Sequence, residues 1–151
     1  MEVKGTYSPE QVAQVERVLR TVSTMVKQRG RDILNGFPLT PPQFSALLIL
    51  GDEGPMTTGE LSKKMYLACS TTTDLLDRME RNGLVERVRS SKDRRVVKVH
   101  ILEKGKAIIL DVLAARRAYL QTILEKMSAR EVEQLDQSLR LLARHMDGKP
   151  S

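Results

Sequence analysis

The sequence has few of the residues on which most other classes of protein depend. Its 151 residues include one cysteine, two histidines, no tryptophan and only 3% aromatic residues. A single cysteine excludes an intramolecular disulfide framework and fits the reducing cytoplasm. Scarce aromatics argue against single-strand or RNA binding by base stacking. His100 and His145 are too far apart to resemble a metal set, so no metal or cofactor is expected.

Long apolar runs are missing as well. No stretch approaches the roughly 20 apolar residues of a membrane-spanning helix, and residues 1–5 lack a signal-peptide core. No Gly-rich phosphate loop, carboxylate pair or Ser/His/Asp arrangement can be placed, which disfavours an enzyme. A chain that is 40% hydrophobic and 29% charged is ordinary for a soluble globular protein of about one domain.

Positive charge is present and concentrated. Residues 78–98 contain eight basic and three acidic residues, so their net charge of 8 − 3 = +5 accounts for most of the formal +6 of the chain. An excess of this kind on one segment is an electrostatic footprint for phosphates, although a solvated hairpin is the plainer alternative. Its position directly behind a predicted helix favours nucleic acid, and duplex DNA is the expected partner.

The segment has the order of a winged helix-turn-helix. Residues 70–81 form a helical run with one polar face, which ends at Asn82-Gly83. Two alternating strands, 84–89 and 95–102, flank a charged tip. The helix would lie in a major groove and the hairpin on the flanking backbone. We therefore predict a mainly α (α+β) fold built around this unit.

The predicted recognition helix leaves one side for DNA. Leu75, Leu76 and Met79 have the spacing of a buried stripe. The residues left for the other side are Ser70, Thr71, Thr73, Asp74 and Arg78. Hydroxyls near the helix start can reach phosphates or bases, and Arg78 can reach guanine or the backbone. Ser70 also fits a capping role. Asp74 is expected to pair with Arg78 four residues on, with acceptance from a cytosine amino group as the alternative.

The hairpin supplies the second set of candidate contacts. Its DNA-facing residues are predicted to be Arg89, Lys92, Asp93, Arg94 and Arg95. Asp93 can accept hydrogen bonds from local backbone amides or hold an arginine in place. Arg94 or Arg95 would then project toward the minor groove, where a narrow A·T-rich groove attracts arginine.

Helix-start signals recur outside this segment. Capping boxes are predicted at four positions: Ser8 with Gln11, Thr40 with Gln43, Thr57 with Glu60, and Ser128 with Glu131. The first helix should run to about Leu34, and Met56 should add a short edge strand after a turn at residues 51–55.

The flanking helices predict a dimer. The first helix is too long for one domain of this size to cover on all sides. A long helix over about 103–127 and a final helix that buries five apolar residues are too apolar to be appendages; the five are Val132, Leu135, Leu139, Leu142 and Met146. We expect residues 1–38 and 104–151 to form a dimerisation bundle around a DNA-binding domain at 39–103, with a frayed tail at 147–151.

Several motifs in order resemble one family. They are LTPPQF at 39–44, GEL at 59–61, STTT at 70–73, LLDRMERNGLVER at 75–87, Asp93-Arg94-Arg95, and LEKG at 102–105. Together they resemble the multiple-antibiotic-resistance regulator (MarR) family of bacterial transcription factors. The likeness is close over residues 39–105 and extends to the flanking helices in pattern only.

The resemblance implies a homodimer in which each recognition helix and wing face one half of a pseudo-palindromic operator. It also implies repression, or less often activation, relieved by a small ligand or by oxidation. Asp93 and Arg95 match the wing motif of the family, in which Arg95 would enter the minor groove. Asp74 departs from a position that is often basic, and Glu103 replaces a usual Thr cap. A ligand pocket is expected by analogy, without assigned residues.

Two alternatives remain at this point. Cys69, in the turn before the recognition helix, would make the protein a redox sensor if it were exposed and reactive. A small buried residue that fills the turn is the favoured interpretation. A winged helix used only for protein contacts would predict a neutral or acidic wing, and this one is basic.

Overall fold

A computed structural model describes residues 5–148. Residues 1–4 of the segment predicted to lack a signal-peptide core, and residues 149–151 of the predicted frayed tail, lie outside the described residues. The described part contains six helices and three strands: α1 Pro9–Leu34, α2 Pro41–Glu53, β1 Met56–Thr57, α3 Thr58–Met65, α4 Cys69–Arg81, β2 Val85–Arg89, β3 Val97–Ile101, α5 Glu103–Leu124 and α6 Ala129–Asp147. This order confirms the mainly α winged helix-turn-helix prediction.

Local capping begins most helices where the sequence places them. Ser8, Thr40 and Ser128 each form a complete capping box with the residue three positions later. At α3 the Thr57 hydroxyl accepts from the Glu60 amide at 3.1 Å, but the expected return bond from the Glu60 carboxylate is absent among the described hydrogen bonds. The Thr57 box is therefore half formed.

The strands form one antiparallel sheet of order β1-β3-β2. Met56 pairs with Val99, and Arg87 pairs with the same residue from the other side. The predicted edge strand at Met56 is confirmed. The turn expected at 51–55 is wrong in part, because α2 continues to Glu53 and ends only at Gly54, whose φ of +85° suits glycine.

The core lies between α2, α3, α4 and the sheet. Its fully buried large side chains are Leu47, Leu50, Leu61, Leu76, Met79, Leu84, Val85, Val99 and Val112. Each contributes roughly 1.5–3 kcal/mol relative to exposure. Thr72 is also fully buried, with its hydroxyl donating to the Ala68 carbonyl at 3.1 Å. This polar core residue was not predicted from the sequence, which suggested only Leu and Met for the buried face.

The start of α5 lies directly against the end of α4. Lys104 Nζ donates to the Asn82 carbonyl at 2.8 Å, and the Leu102 amide donates to the Leu84 carbonyl at 2.9 Å. A Cβ on buried Gly105 would lie 2.6 Å from the Leu84 oxygen. Only glycine allows so close an approach of the two backbones. The helix begins at Glu103, without the Thr cap of the family pattern.

Two compact units divide the chain, one ending at Val112 and the other beginning at Leu113. In the single chain α1 buries only Leu34 and α6 buries no residue. The burial predicted for the apolar residues of α6 is therefore wrong within one chain. Both helices expose apolar side chains: Val12, Val15, Val18, Leu19, Val22, Met25, Val26, Leu135, Leu139, Leu141, Leu142 and Met146. Among residues 5–148, no helix has the length and apolar character needed to cross a membrane.

Candidate DNA interface

The recognition helix α4 begins without a side-chain cap. Its N-cap is Ala68, which has no side chain that can accept from the first amides. Ser70 is the second residue of the helix and is exposed, so the capping role considered for it is wrong. The first turn of α4 therefore presents backbone N–H groups and the exposed hydroxyls of Ser70 and Thr71 together.

The polar face is narrower than the sequence indicates. The Thr73 hydroxyl donates to the Cys69 carbonyl at 2.9 Å, and Thr73 is half-buried. Asp74 and Arg78 are exposed, but no ion pair joins them among the described residues. The expected i,i+4 pair is wrong, which leaves both charged groups directed to solvent.

The wing consists of β2, β3 and the tip that joins them, residues 90–96. The Ser90 amide donates to the Val96 carbonyl at 2.8 Å and closes the tip. The Ser90 hydroxyl accepts from the Lys92 amide at 3.2 Å. Asp93 Oδ1 accepts from the Arg95 amide at 3.0 Å and lies 3.5 Å from Arg95 Nε. Both functions predicted for Asp93, accepting from a local amide and holding an arginine, occur together.

The basic side chains at the tip and at the end of β2 fall into two groups. Lys92, Arg94 and Arg95 are exposed at the tip, and the Arg95 side chain is 93% exposed. Arg89 is exposed as well, but its Nη1 donates to the Arg94 carbonyl at 2.6 Å. The guanidinium of Arg89 therefore binds the backbone of the tip, while the side chains of Lys92, Arg94 and Arg95 remain exposed.

Arg87 belongs to the basic segment and to the 75–87 motif, but the sequence predicted no contact for it. Its Nε donates to Glu80 Oε2 at 3.1 Å, and its Nη2 forms an ion pair with Asp77. The hydrogen bond to Asp77 is the main cause that raises the pKa of Arg87, partly opposed by desolvation. The sequence contains one signal for this contact: Asp77 and Glu80 lie three residues apart in the helix, and Arg87 follows in the next strand.

Cys69 is the first residue of α4 and is exposed. Its Sγ lies 3.4 Å from the hydroxyl of the buried Ser62. The favoured interpretation of a buried residue that fills the turn is wrong. Among residues 5–148, no group of three or more His, Cys, Asp or Glu side chains is placed to hold a metal ion.

A helix with an exposed, uncapped first turn, followed by a basic hairpin, defines a winged-helix regulator that binds DNA. Residues 39–97 match the MarR family. The uncharacterized HTH-type transcriptional regulator YsmB of Bacillus subtilis is 49% identical over 140 residues, covering 93% of this chain and 96% of YsmB. The chain belongs to the MarR family of transcriptional regulators, whose members are not enzymes.

Two further relatives extend the comparison. The structure of a MarR family protein from Bacillus stearothermophilus has 50% sequence identity and a TM-score of 0.90, covering 94% of this chain and 99% of that chain. The HTH-type transcriptional repressor MdtR of Bacillus subtilis is 30% identical over 96 residues, which is 64% of this chain and 62% of MdtR. The fold is thus shared almost from end to end with a solved family member.

Proposed function

We propose that this protein is a homodimeric repressor that binds a pseudo-palindromic operator, with α4 in the major groove and the wing at the adjacent minor groove. The observation that carries the proposal is the tip, where Asp93 holds the backbone of Arg95 while the Arg95 side chain stays 93% exposed. A fixed backbone with an exposed guanidinium is suited to a narrow, electronegative groove. The repressor assignment is supported by the relative MdtR, which is named a repressor.

The contacts divide by element. On α4, Ser70 and Thr71 would reach phosphates or base edges, and Arg78 would reach guanine or the backbone. Asp74, without an arginine partner among the described ion pairs, would accept from a cytosine amino group. Thr73 would offer its methyl group, because its hydroxyl donates to the Cys69 carbonyl.

On the wing, Lys92 and Arg94 would contact the backbone and Arg95 the minor groove, with Asp93 holding Arg95. Arg89 would add positive charge beneath the tip. The side chains of these five candidate residues are all exposed, which is what a surface that meets DNA requires.

The homodimer is supported by the apolar side chains that α1 and α6 expose. Val22 of α1 is 49% exposed and Leu139 of α6 is 53% exposed in the single chain. An exposed apolar stripe on each helix marks a surface for interaction, and a second copy of the chain would cover each of them. We assign dimerisation to residues 1–38 and 104–151, and DNA binding to residues 39–103.

A repressor of this kind works in the cytoplasm, where bacterial DNA lies, and its release would come from a small effector. Binding of an effector to a conformation with weaker DNA affinity would lower occupancy of the operator by linkage. We assign no residues to that site.

The experiment is a DNA-binding titration of the full chain on the upstream region of its own gene, at two salt concentrations, with random duplex as competitor. Retarded complexes that survive the competitor and weaken steeply with salt are expected. Equal affinity for both duplexes would contradict sequence-specific repression and indicate an architectural role. No binding at low salt would leave a protein-interaction module.

A second candidate, redox regulation through Cys69, is favoured by the exposure of this thiol at the first position of the recognition helix. Hydrogen peroxide would transfer one oxygen to the thiolate, giving a sulfenic acid and hydroxide. Peroxide should then release the wild-type protein from DNA but not Cys69→Ser. Equal behaviour of the two proteins toward peroxide would rule this mechanism out.

A further inference from the structure

Arg87 lies between the two elements proposed to contact DNA. It is the middle residue of β2, the strand that follows α4 after a short turn and leads to the tip. Its partner across the hairpin is the fully buried Val99. From this anchored position the side chain extends back to α4 and reaches both Asp77 and Glu80.

The contacts of Arg87 restrain the strand and the helix at once. Its Nε and Nη2 both lie 3.1 Å from Glu80 Oε2, and Nη2 also pairs with Asp77. The second Glu80 oxygen lies 3.4 Å from the backbone N–H of Arg87. A planar guanidinium on two carboxylates fixes orientation as well as distance, which an ammonium group does not.

The charge of Arg87 is already compensated. Two carboxylates surround one guanidinium, and the Arg87 side chain is 24% exposed, compared with 93% for Arg95. A phosphate would therefore meet a group that is half-buried and next to two negative charges. Arg87 is poorly placed to bind DNA itself, although it lies in the most basic segment of the chain.

We propose that Arg87 is a positioning residue for DNA binding, which holds the recognition helix and the wing at the spacing at which both meet the duplex. This inference rests on the proposed function. The restraint continues along β2, because Arg89 donates to the Arg94 carbonyl at the tip at 2.6 Å. The helix and the tip are thus connected through two arginines on one short strand.

The benefit of such a restraint is preorganisation. Two elements contact one duplex strongly only when their spacing matches it, and a loose connection must be ordered during binding. Loss of Arg87 should therefore weaken cooperation between α4 and the wing, while each keeps its own contacts.

The test measures the affinity of full-length wild type, Arg87→Met and Arg87→Lys for the upstream duplex that the wild-type protein binds. We expect Arg87→Met to lower affinity roughly tenfold, within the range for coupled neighbours. The slope of log affinity against log salt should stay unchanged, whereas loss of a phosphate contact would reduce it by roughly 0.9. Arg87→Lys should recover part of the affinity, since an ammonium can satisfy one carboxylate.

A double-mutant cycle with Arg95→Ala separates positioning from general destabilisation. If Arg87 positions the wing, Arg95→Ala will lower DNA affinity by a smaller factor in the Arg87→Met background than in wild type. If the two substitutions act independently, the fold-loss of affinity in the double variant will equal the product of the two single losses to within about twofold. Multiplying effects, or a lower salt slope for Arg87→Met, would overturn the inference.

Folding is checked by the thermal midpoint and far-UV circular dichroism of each variant. If Arg87→Met does not fold, the combined variant Asp77→Asn with Glu80→Gln removes the partner charges and keeps Arg87. The same reduced effect of Arg95→Ala is expected in that background, and an undiminished effect would contradict the inference. A wild type that binds no duplex would instead mark the failure of the proposed function, and the inference would fail with it.

Discussion

Asp93 Oδ1 accepts a hydrogen bond from the Arg95 backbone N–H at 3.0 Å and lies 3.5 Å from the Nε of the same residue. One carboxylate thus fixes the backbone at the tip and stays near the guanidinium. The Arg95 side chain is nevertheless 93% exposed, so the pair holds the position of the arginine without covering its charge.

Arg95→Ala should weaken binding to every duplex and reduce the salt slope by about one unit, because a cation that contacts DNA releases counterions. The measurement is a titration at several salt concentrations on operator and random duplex. Arg140→Ala is the matched control, since Arg140 is also an exposed arginine paired with an aspartate, Asp136 at 3.0 Å. An equal slope change in both variants would mean that only net charge matters.

Asp93→Asn and Asp93→Ala should differ in their affinity for DNA. Asparagine keeps an oxygen that accepts from the Arg95 amide, whereas alanine loses both the hydrogen bond and the ion pair. An exposed ion pair contributes at most about 1 kcal/mol, so the backbone bond should be the important one. We expect near wild-type affinity for Asp93→Asn and a clear loss for Asp93→Ala. Equal losses would show that the carboxylate charge is required.

Arg78→Ala should change which bases are preferred. An arginine that reads guanine contributes about 1–3 kcal/mol of discrimination at its position, and Arg78 has a free, exposed guanidinium as far as the described ion pairs show. Selection from a randomised duplex library, followed by sequencing, would measure the preference. Lys92→Ala is the control and should lower affinity uniformly. An unchanged preference in Arg78→Ala would place this arginine on the backbone.

The sequence predicted those parts of the site that local rules govern. The helix end at Asn82-Gly83 could be predicted because a glycine after a helix favours a positive φ, and Gly83 has a φ of +73°. The regular strand pattern that follows it supported the same boundary. Asp74 and Arg78 were expected to pair because of their spacing, yet the ion pairs of α4 go to Arg87, ten residues from Asp77. Spacing within a helix identifies possible neighbours, but a strand folded against that helix can supply a better partner.

Helix ends show the same limit. Residues 51–55 have the composition of a turn, but only Gly54 needs a positive φ, so Gly51 remains inside α2. A cap at Ser70 would begin the helix at Thr71, whereas α4 begins two residues earlier, at Cys69, after the N-cap Ala68. Periodicity marks an apolar face on α6 without showing what covers it, so the predicted burial does not occur within one chain and stays a prediction for a dimer.

Leu139→Glu should convert a dimer into a monomer with weak operator binding. Leu139 is 53% exposed in the single chain, so a charge there should not unfold the protomer but would be buried in a dimer interface. Light scattering over a range of concentrations would measure the mass. Gln134→Glu adds the same charge at an exposed polar position of α6 and should remain dimeric. A dimeric Leu139→Glu would place the interface elsewhere.

Gly105→Ala should destabilise the protein through the contact between α5 and the end of α4. Its Cβ would lie 2.6 Å from the Leu84 carbonyl oxygen and 3.2 Å from Leu47 Cδ2, so the start of the helix must shift. Overpacking of this kind costs roughly 1–3 kcal/mol, which should outweigh the helix-propensity gain of about 1 kcal/mol. Urea unfolding at one fixed protein concentration measures the difference.

Gly59→Ala is the matched control, because Gly59 lies in α3 and a Cβ there would meet nothing closer than the Thr57 hydroxyl at 3.9 Å. It should raise the free energy of unfolding by about 0.4–1 kcal/mol. Leu84 lies three residues after the end of the recognition helix, so Gly105→Ala should also weaken DNA binding. If both variants gain stability and bind DNA as wild type does, then α5 is not held tightly against α4.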